Sequence, residues 1–380
     1  MNVLITGGAG FIGTHLTRRL LKEGCQVTVF DNFNPQIHGD NRKLPADLVG
    51  QVKLVIGDVR DDAAWEKALR SQEVVVHLAA ETGTGQSMYQ VERYTDVNIG
   101  GTALLMDYLV NHKKNTINKV VIASSRAIYG EGKHHCPQHG IVYPEMRKEA
   151  DMKAGHFEPV CPLCPSPCSP LPTDESAMLH PSSLYGLTKQ FQEQITLLIA
   201  RNLGISAYAL RYQNVYGPGQ SLKNPYTGIL AIFSNLARSN QSVNVFEDGQ
   251  ESRDFVFIED AIEATWRCIR PEAAGIECFN VGSGERVSLL QVVEEIIAFF
   301  HSKSPVLVSG SFRMGDIRHS VADLLKVRAS LGFQPEWHFK KGMHAFLVWV
   351  GDQPIGSINY TESLTEMHDK GLFSINNFPR

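Results

Sequence analysis

No run of eighteen uninterrupted apolar residues occurs in the chain, which argues against a membrane-spanning helix. Nor is there an excess of one charge. The 36 Lys and Arg stand against 40 Asp and Glu, a formal net charge of −4, so nothing favours nucleic acid as a partner. No internal repeat is apparent. Met1 leads directly into a strand-like run, read here as leaving no room for a signal peptide, and the expected location is cytoplasmic. Cysteine is scarce and uneven: of seven, Cys25, Cys268 and Cys278 are scattered, whereas four fall between 136 and 168. In a reducing compartment such a cluster points to a metal rather than to disulfides.

What is present is ordinary for a globular protein, 43% apolar and 20% charged over 380 residues, enough for a large α/β unit and a smaller lobe. The first 31 residues carry the strongest pattern. Val3-Leu4-Ile5-Thr6 is a short apolar strand running into Gly7-Gly8-Ala9-Gly10-Phe11-Ile12-Gly13. A helical stretch with Leu16, Leu20 and Leu21 follows, then a strand from Gln26 to Phe30 that stops at Asp31. Glycines at such a strand–helix junction allow a tight turn, close approach of a pyrophosphate and close helix packing. The helix start offers unpaired N–H groups to phosphate. Asp31, with Asn32 beside it, is placed to take the ribose hydroxyls, and its charge repels a 2′-phosphate. NAD is the cofactor this implies, with Gly7, Gly10, Phe11, Ile12 and Gly13 as its cradle.

Further strands are expected at Val52–Ile56, Glu73–Leu78 and Lys119–Ala123, with helices over 62–70 and Asn98–His112. Asp58-Val59 follows the first of these strands; Asp58 reads either as a helix cap or as an adenine contact. Leu78-Ala79-Ala80 ends the second with small residues, where a cofactor can lie against the backbone. The polar loop Glu81 to Met88, including Thr84, faces the same rim. Residues 130 to 180 keep neither period and read as an inserted loop module. Helical periodicity returns over Ser183–Asn202, followed by a strand at Ser206–Arg211. Helices are expected at 226–239, 259–270, 288–301 and 322–331. The alternation predicts an α/β, Rossmann-type doubly wound parallel sheet over 1–217, with the insert at 131–180. A smaller mixed α/β lobe over 218–350 is expected to bind substrate, and 351–380 is either a docking arm or a disordered tail.

Tyr185 and Lys189 are four apart at the start of a helix, so both project from one face. A phenol near pKa 10 is a poor base at neutral pH. A lysine ammonium one turn away, with a nicotinamide's positive charge nearby, favours the phenolate. Ser125 arrives on a neighbouring strand end with a hydroxyl able to bridge substrate oxygen and phenol. These three are the expected catalytic residues, and Tyr185 and Lys189 are expected to touch the cofactor too.

At these residues the chain resembles the extended short-chain dehydrogenases/reductases, in their nucleotide-sugar epimerase/dehydratase branch. The resemblance runs from Met1 to about 340. It rests on Thr6–Gly13, Asp58-Val59, His77-Leu78-Ala79-Ala80, Asn98 with Gly101-Thr102, and Tyr185 with Lys189. It continues through Arg211–Pro218, Arg253-Asp254-Phe255, Asn280-Val281-Gly282 and Arg313 with Gly315-Asp316. It implies that Asn98 serves the cofactor, that Asn214 contacts a nucleotide-sugar diphosphate, and that Arg253 and Arg313 grip its phosphates, with Asp316 and Thr84 also on the substrate side. Arginine forks suit phosphate oxygens. The resemblance also implies a homodimer built on the helices at about 98–112 and 183–202. Dehydratases and decarboxylases of this branch usually carry an acid within two residues after the catalytic hydroxyl; here stand Arg126 and Ala127. Arg126 cannot act as that acid; it is either structural or a substrate contact. Transient oxidation at C4 of the sugar and return of the hydride to the other face, a 4-epimerisation, is the activity implied. The alternatives are a dehydratase, decarboxylase or reductase of the same branch, or a non-catalytic dinucleotide-binding protein.

The insert adds Cys136-Pro137-Gln138-His139 and Cys161-Pro162-Leu163-Cys164, two loops that each offer two ligands two residues apart. That is the spacing of a zinc knuckle, with Cys168, His134, His135 and His156 as substitutes. Four protein ligands would make such a zinc structural. The insert, with Ala80 to Tyr89, resembles a subgroup containing dTDP-L-rhamnose 4-epimerases.

Overall fold

Seven parallel strands form the centre of the molecule. The computed structural model describes residues 1–112, 114–222, 224, 228–355 and 360–375. The strands are β1 (Asn2–Thr6), β2 (Gln26–Asp31), β3 (Lys53–Ile56), β4 (Val74–His77), β5 (Lys119–Ser125), β6 (Ser206–Tyr212) and β7 (Ile276–Val281). Their spatial order is β3-β2-β1-β4-β5-β6-β7, every neighbouring pair being parallel. The order reverses between β1 and β4, where a crevice opens at the carboxyl ends of the strands.

Helices cover both faces, so the central strands are buried on both sides and read as continuous apolar runs. Alternate residues of β1 serve opposite faces. Val3 and Ile5 join a core with Leu16 and Leu20 of α1 (Phe11–Lys22), whereas Leu4 packs with Trp65 of α2 (Asp62–Leu69) and Leu105 of α3 (Gly101–Asn111). The long α4 (Leu184–Leu203) lies against β5, and α5 (Ile258–Ile269) lies against α1. Both α5 and β7 come from the stretch assigned by sequence to the second lobe. The chain therefore returns to the main sheet after residue 217 instead of leaving it there.

The helix expected over 98–112 is divided. A wide π turn, Thr95–Gly100, precedes α3, and a further helical turn, Val91–Tyr94, precedes that. The loop at 81–88 holds one helical turn, Thr84–Ser87. The helix expected at 226–239 spans Ile229–Arg238, and positions 226 and 227 lie outside the described residues. The helix Phe339–Gly351 was not anticipated. In the insert, His134–Cys136 pairs antiparallel with Gly140–Val142 and Ser169–Pro170. These strands are two or three residues long, too short for alternation to register. Of the tail, 356–359 and 376–380 lie outside the described residues. The rest is a docked arm: helix Tyr360–Asp369, then Phe373–Ser374 paired with Phe312–Arg313. Among the described residues no helix is long and apolar enough to cross a membrane.

Candidate active site

A cavity of about 490 Å³ occupies the crevice. Gly7, Gly10, Phe11, Ile12, Gly13, Asp31, Asn32, Val59, Leu78, Ala79 and Ala80 line it, as expected of a cofactor cleft. The N–H groups of the first turn of α1 have no carbonyl one turn back, and Gly10 supplies no side-chain cap. They are left for an anion. At Gly13 an added Cβ would stand 2.5 Å from the Gly7 carbonyl oxygen and 2.6 Å from Gly8 Cα, so helix and turn meet backbone to backbone. The residues present fit a dinucleotide pyrophosphate. Gly13→Ala is expected to shift the turn at a cost of about 1–3 kcal/mol, read as a lower Tm and loss of co-purified NAD.

Asp31 is buried, one carboxylate oxygen accepting the Ala9 N–H (3.0 Å) and the other the Phe33 N–H (2.8 Å). The two bonds fix the carboxylate at the cleft wall while leaving each oxygen a further lone pair. Asp58 lies outside the lining. It accepts from Asn32 Nδ2 (2.9 Å) and pairs with Arg60, whose hydrogen bond is the main reason its carboxyl is held down to about 2. The helix cap weighed for Asp58 is made instead by Asp61, which accepts from the Ala63 N–H. Asn98 also departs from expectation. Its amide is fully buried behind the wall, bonded to both main-chain groups of Glu81 (2.8 and 3.1 Å) and to Thr188 Oγ1 (3.0 Å). It fixes the loop that lines the cleft rather than lining it.

Ser125, Tyr185 and Lys189 converge on the same cavity. Ser125 ends β5, its Oγ accepting from the Ala127 N–H at 3.1 Å and starting a tight turn. Ser183 caps α4 by accepting from the Gly186 N–H at 3.2 Å, and Ser87 Oγ holds the Tyr185 N–H at 3.0 Å. A Cβ on Gly186 would stand 2.5 Å from the Ala127 carbonyl oxygen, so a glycine is what lets the first turn of α4 lean on the turn after Ser125. Lys189 Nζ donates to the Ala123 carbonyl (3.0 Å) and lies 5.9 Å from the centre of the Tyr185 ring. Burial pulls Lys189 down to about 7 and pushes Tyr185 up, while hydrogen bonding to Ser125 and the charge of Arg126 draw Tyr185 partly back. The protein alone thus penalises both charged forms. The four-residue spacing that places the lysine ammonium beside the phenol carries no information on burial.

Thr84, Arg126 and Asn214 also line the cavity. Arg126 Nε donates to Asn214 Oδ1 (2.7 Å), and its buried Nη1 has no partner among the described residues. Burial, with Arg253 nearby, lowers it to about 9, and Asp316 opposes that shift. Arg253, Arg313 and Asp316 do not line the cavity itself. Arg253 is turned onto the protein, donating to the Arg318 carbonyl (3.0 Å) and Glu251 (3.2 Å). Arg313 lies 4.0 Å from Asp316, which reaches back to Thr84 Oγ1 at 3.5 Å. Gln213 and Gln220 also line the cavity and were not singled out by sequence. Gln213 could have been, since it precedes Asn214 on a strand end; Gln220 lies in a loop without a signal.

Cys136, His139, Cys161 and Cys164 bring their ligand atoms within 4.8 Å of one another. Cys136 Sγ stands 3.6 Å from His139 Nδ1 and 3.7 Å from Cys164 Sγ, and Cys161 Sγ stands 3.5 Å from His139 Nδ1. Cys168 is buried beside the group without joining it, and His134, His135 and His156 stay outside it.

The model of the family described as "NAD dependent epimerase/dehydratase family" matches residues 3–148 and 164–282. The chain belongs to this family. The unmatched stretch between the two matches falls within the Cys/His module. A dTDP-L-rhamnose 4-epimerase of Burkholderia thailandensis is 38% identical over 92% of this chain and 95% of its own length. Among solved structures, a UDP-glucose 4-epimerase of Thermotoga maritima with UDP-glucose aligns at a TM-score of 0.74. It is 26% identical, with 92% of this chain and 99% of that one covered. A UDP-glucose 4-epimerase of Thermus thermophilus in complex with NAD gives 0.72 at 26% identity, covering 93% and 100%. NAD is the cofactor of this family member.

Proposed function

We propose that the chain is an NAD-dependent nucleotide-sugar 4-epimerase, an isomerase, acting on a dTDP-6-deoxyhexose such as dTDP-L-rhamnose. One observation carries the reading. Ser125 and Tyr185 sit together in the cleft that holds the glycine cradle, and the next two side chains after Ser125 are Arg126 and Ala127. Bound NAD supplies a hydride acceptor that gives back what it takes, so the product has the mass of the substrate. Tyr185 takes the O4 proton as the carbinol is oxidised and returns it afterwards. Ser125 hydrogen-bonds both the phenol and the sugar oxygen. Lys189, anchored on Ala123, holds the cofactor's ribose. Arg126 Nη1, without a partner among the described residues, is offered to a sugar or phosphate oxygen, and Asn214, Thr84, Asp316, Arg253 and Arg313 complete the nucleotide end. The Burkholderia relative supports the choice of nucleotide and sugar.

Three further assignments belong to this reading. The module holds a structural Zn²⁺, because tetrahedral zinc sets ligands about 3.8 Å apart sulfur to sulfur and about 3.6 Å sulfur to nitrogen, matching the distances above. Thiolate ligands suit a reducing compartment, so the cytoplasm is proposed as its location. The chain pairs as a homodimer through α3 and α4, which expose Val110, Leu187 and Leu198.

Incubated with dTDP-L-rhamnose and no added cofactor, the purified protein is expected to yield an isomer of unchanged mass, separable by chromatography. Loss of water or carbon dioxide would replace this reading with that of a dehydratase or decarboxylase.

A further inference from the structure

We propose that residues 360–375 form a strap that belongs to the substrate site, in which Tyr360 positions Arg313. The proposal rests on the reading that Arg313 meets the substrate's diphosphate.

The strap holds the Arg313 segment in three ways. Phe373–Ser374 pairs antiparallel with Phe312–Arg313. The Met314 N–H donates to the Leu372 carbonyl at 3.0 Å. The buried Tyr360 hydroxyl accepts from Arg313 Nη2 at 3.4 Å, while the guanidinium lies 4.9 Å above the centre of the Phe246 ring. Arg313 Nε is buried and has no partner among the described residues. A guanidinium fixed on a phenol and a ring, with its Nε left unspent, is preorganised for an anionic acceptor.

The other side of the strap grips the NAD lobe. Glu366 accepts from the Tyr89 hydroxyl at 3.0 Å, and Lys370 Nζ lies 5.2 Å above the centre of the Tyr89 ring. Met367 packs so closely on Gly85 that a Cβ there would stand 2.8 Å from its sulfur. Gly85 lies in the turn that begins at Thr84 and Tyr89 follows it, and Thr84 meets Asp316. One short segment thus ties the cofactor-side loop at 84–89 to the Arg313–Asp316 loop of the second lobe. A tether of that kind fixes the separation of the two walls between which a nucleotide sugar must fit.

The test is calorimetric titration of the holoenzyme with dTDP and with UDP, for the wild type, Tyr360→Phe and a chain ending at Ile355. Tyr360→Phe removes one hydrogen-bonding oxygen and keeps the ring, so the nucleotide dissociation constant is expected to rise about fivefold. KM is expected to rise with it while kcat and NAD content change little, a split that mere loosening of the fold would not produce. The shortened chain is expected to bind the nucleotide more weakly still. Equal dissociation constants in wild type and Tyr360→Phe would overturn the positioning role whether or not the shortened chain folds. A wild type that binds neither nucleotide would overturn the assignment of the site itself.

Discussion

Tyr185→Phe is expected to leave a folded protein with NAD bound and turnover reduced by about 10²–10⁴-fold, the usual worth of a positioned general acid–base group. Phenylalanine keeps the ring in its place beside Lys189 and removes only the oxygen that would hold the O4 proton. The effect should therefore fall on kcat, measured as isomer formed per chain. Tm and the NAD released on denaturation serve as controls. The wild type should also show a pH limb that the variant lacks. The phenolate is the base, so the rate rises as pH rises through the Tyr185 pKa. Burial moves that limb up; Ser125, Arg126 and the charge of the bound nicotinamide move it down. Full turnover by Tyr185→Phe would overturn the catalytic assignment.

Cys161→Ser is expected to release zinc, lower Tm and expose residues 131–180 to protease, with NAD retained. The loss extends beyond the metal. Arg147, between the two ligand pairs, donates to Glu131 (3.1 Å), Glu247 (2.8 Å) and the Asp316 carbonyl (2.8 Å). Glu158 accepts from Arg318 at 2.7 Å and is paired with His319 at 3.0 Å. Glu247 and Arg318 are fully buried in the second lobe. If the module unfolds, Glu247 loses Arg147 and Arg318 loses Glu158, leaving them paired with each other and Arg318 with Asp248. Breaking the buried Arg147–Glu247 pair costs about 3–5 kcal/mol. The Asp316 loop loses its brace, so KM for the nucleotide sugar should rise as well. Elemental analysis finding no zinc in the wild type, with Tm unmoved by Cys161→Ser, would dispose of the metal site.

The parts of the site legible in the sequence were those whose chemistry is local. Gly7 to Gly13 and Asp31 are set by one strand–helix–strand unit, and Tyr185 and Lys189 by one helical turn. The members of the Cys/His cluster, too, come from two short loops. The parts not legible there depend on what lies across the molecule. Asn98 lies in the π turn before α3 and behind the wall, because Glu81 and Thr188 claim its amide. Arg253 carries the expected side chain but spends donors on Arg318 and Glu251. Tyr360 reaches Arg313 across 47 residues, a contact no spacing rule encodes.

By itself the sequence determined the parallel sheet, the glycine turn ahead of α1, the Tyr–Lys pair and the two short Cys/His pairs of the insert, since each follows from hydrophobic period or from side chains a few positions apart. Tertiary structure alone decided that the tail docks, that the insert's ion pairs brace the Asp316 loop, and that burial sets Tyr185 and Lys189 against their charged forms. Those outcomes depend on which surfaces meet and how much water they exclude, and neither is a property of any short stretch of chain.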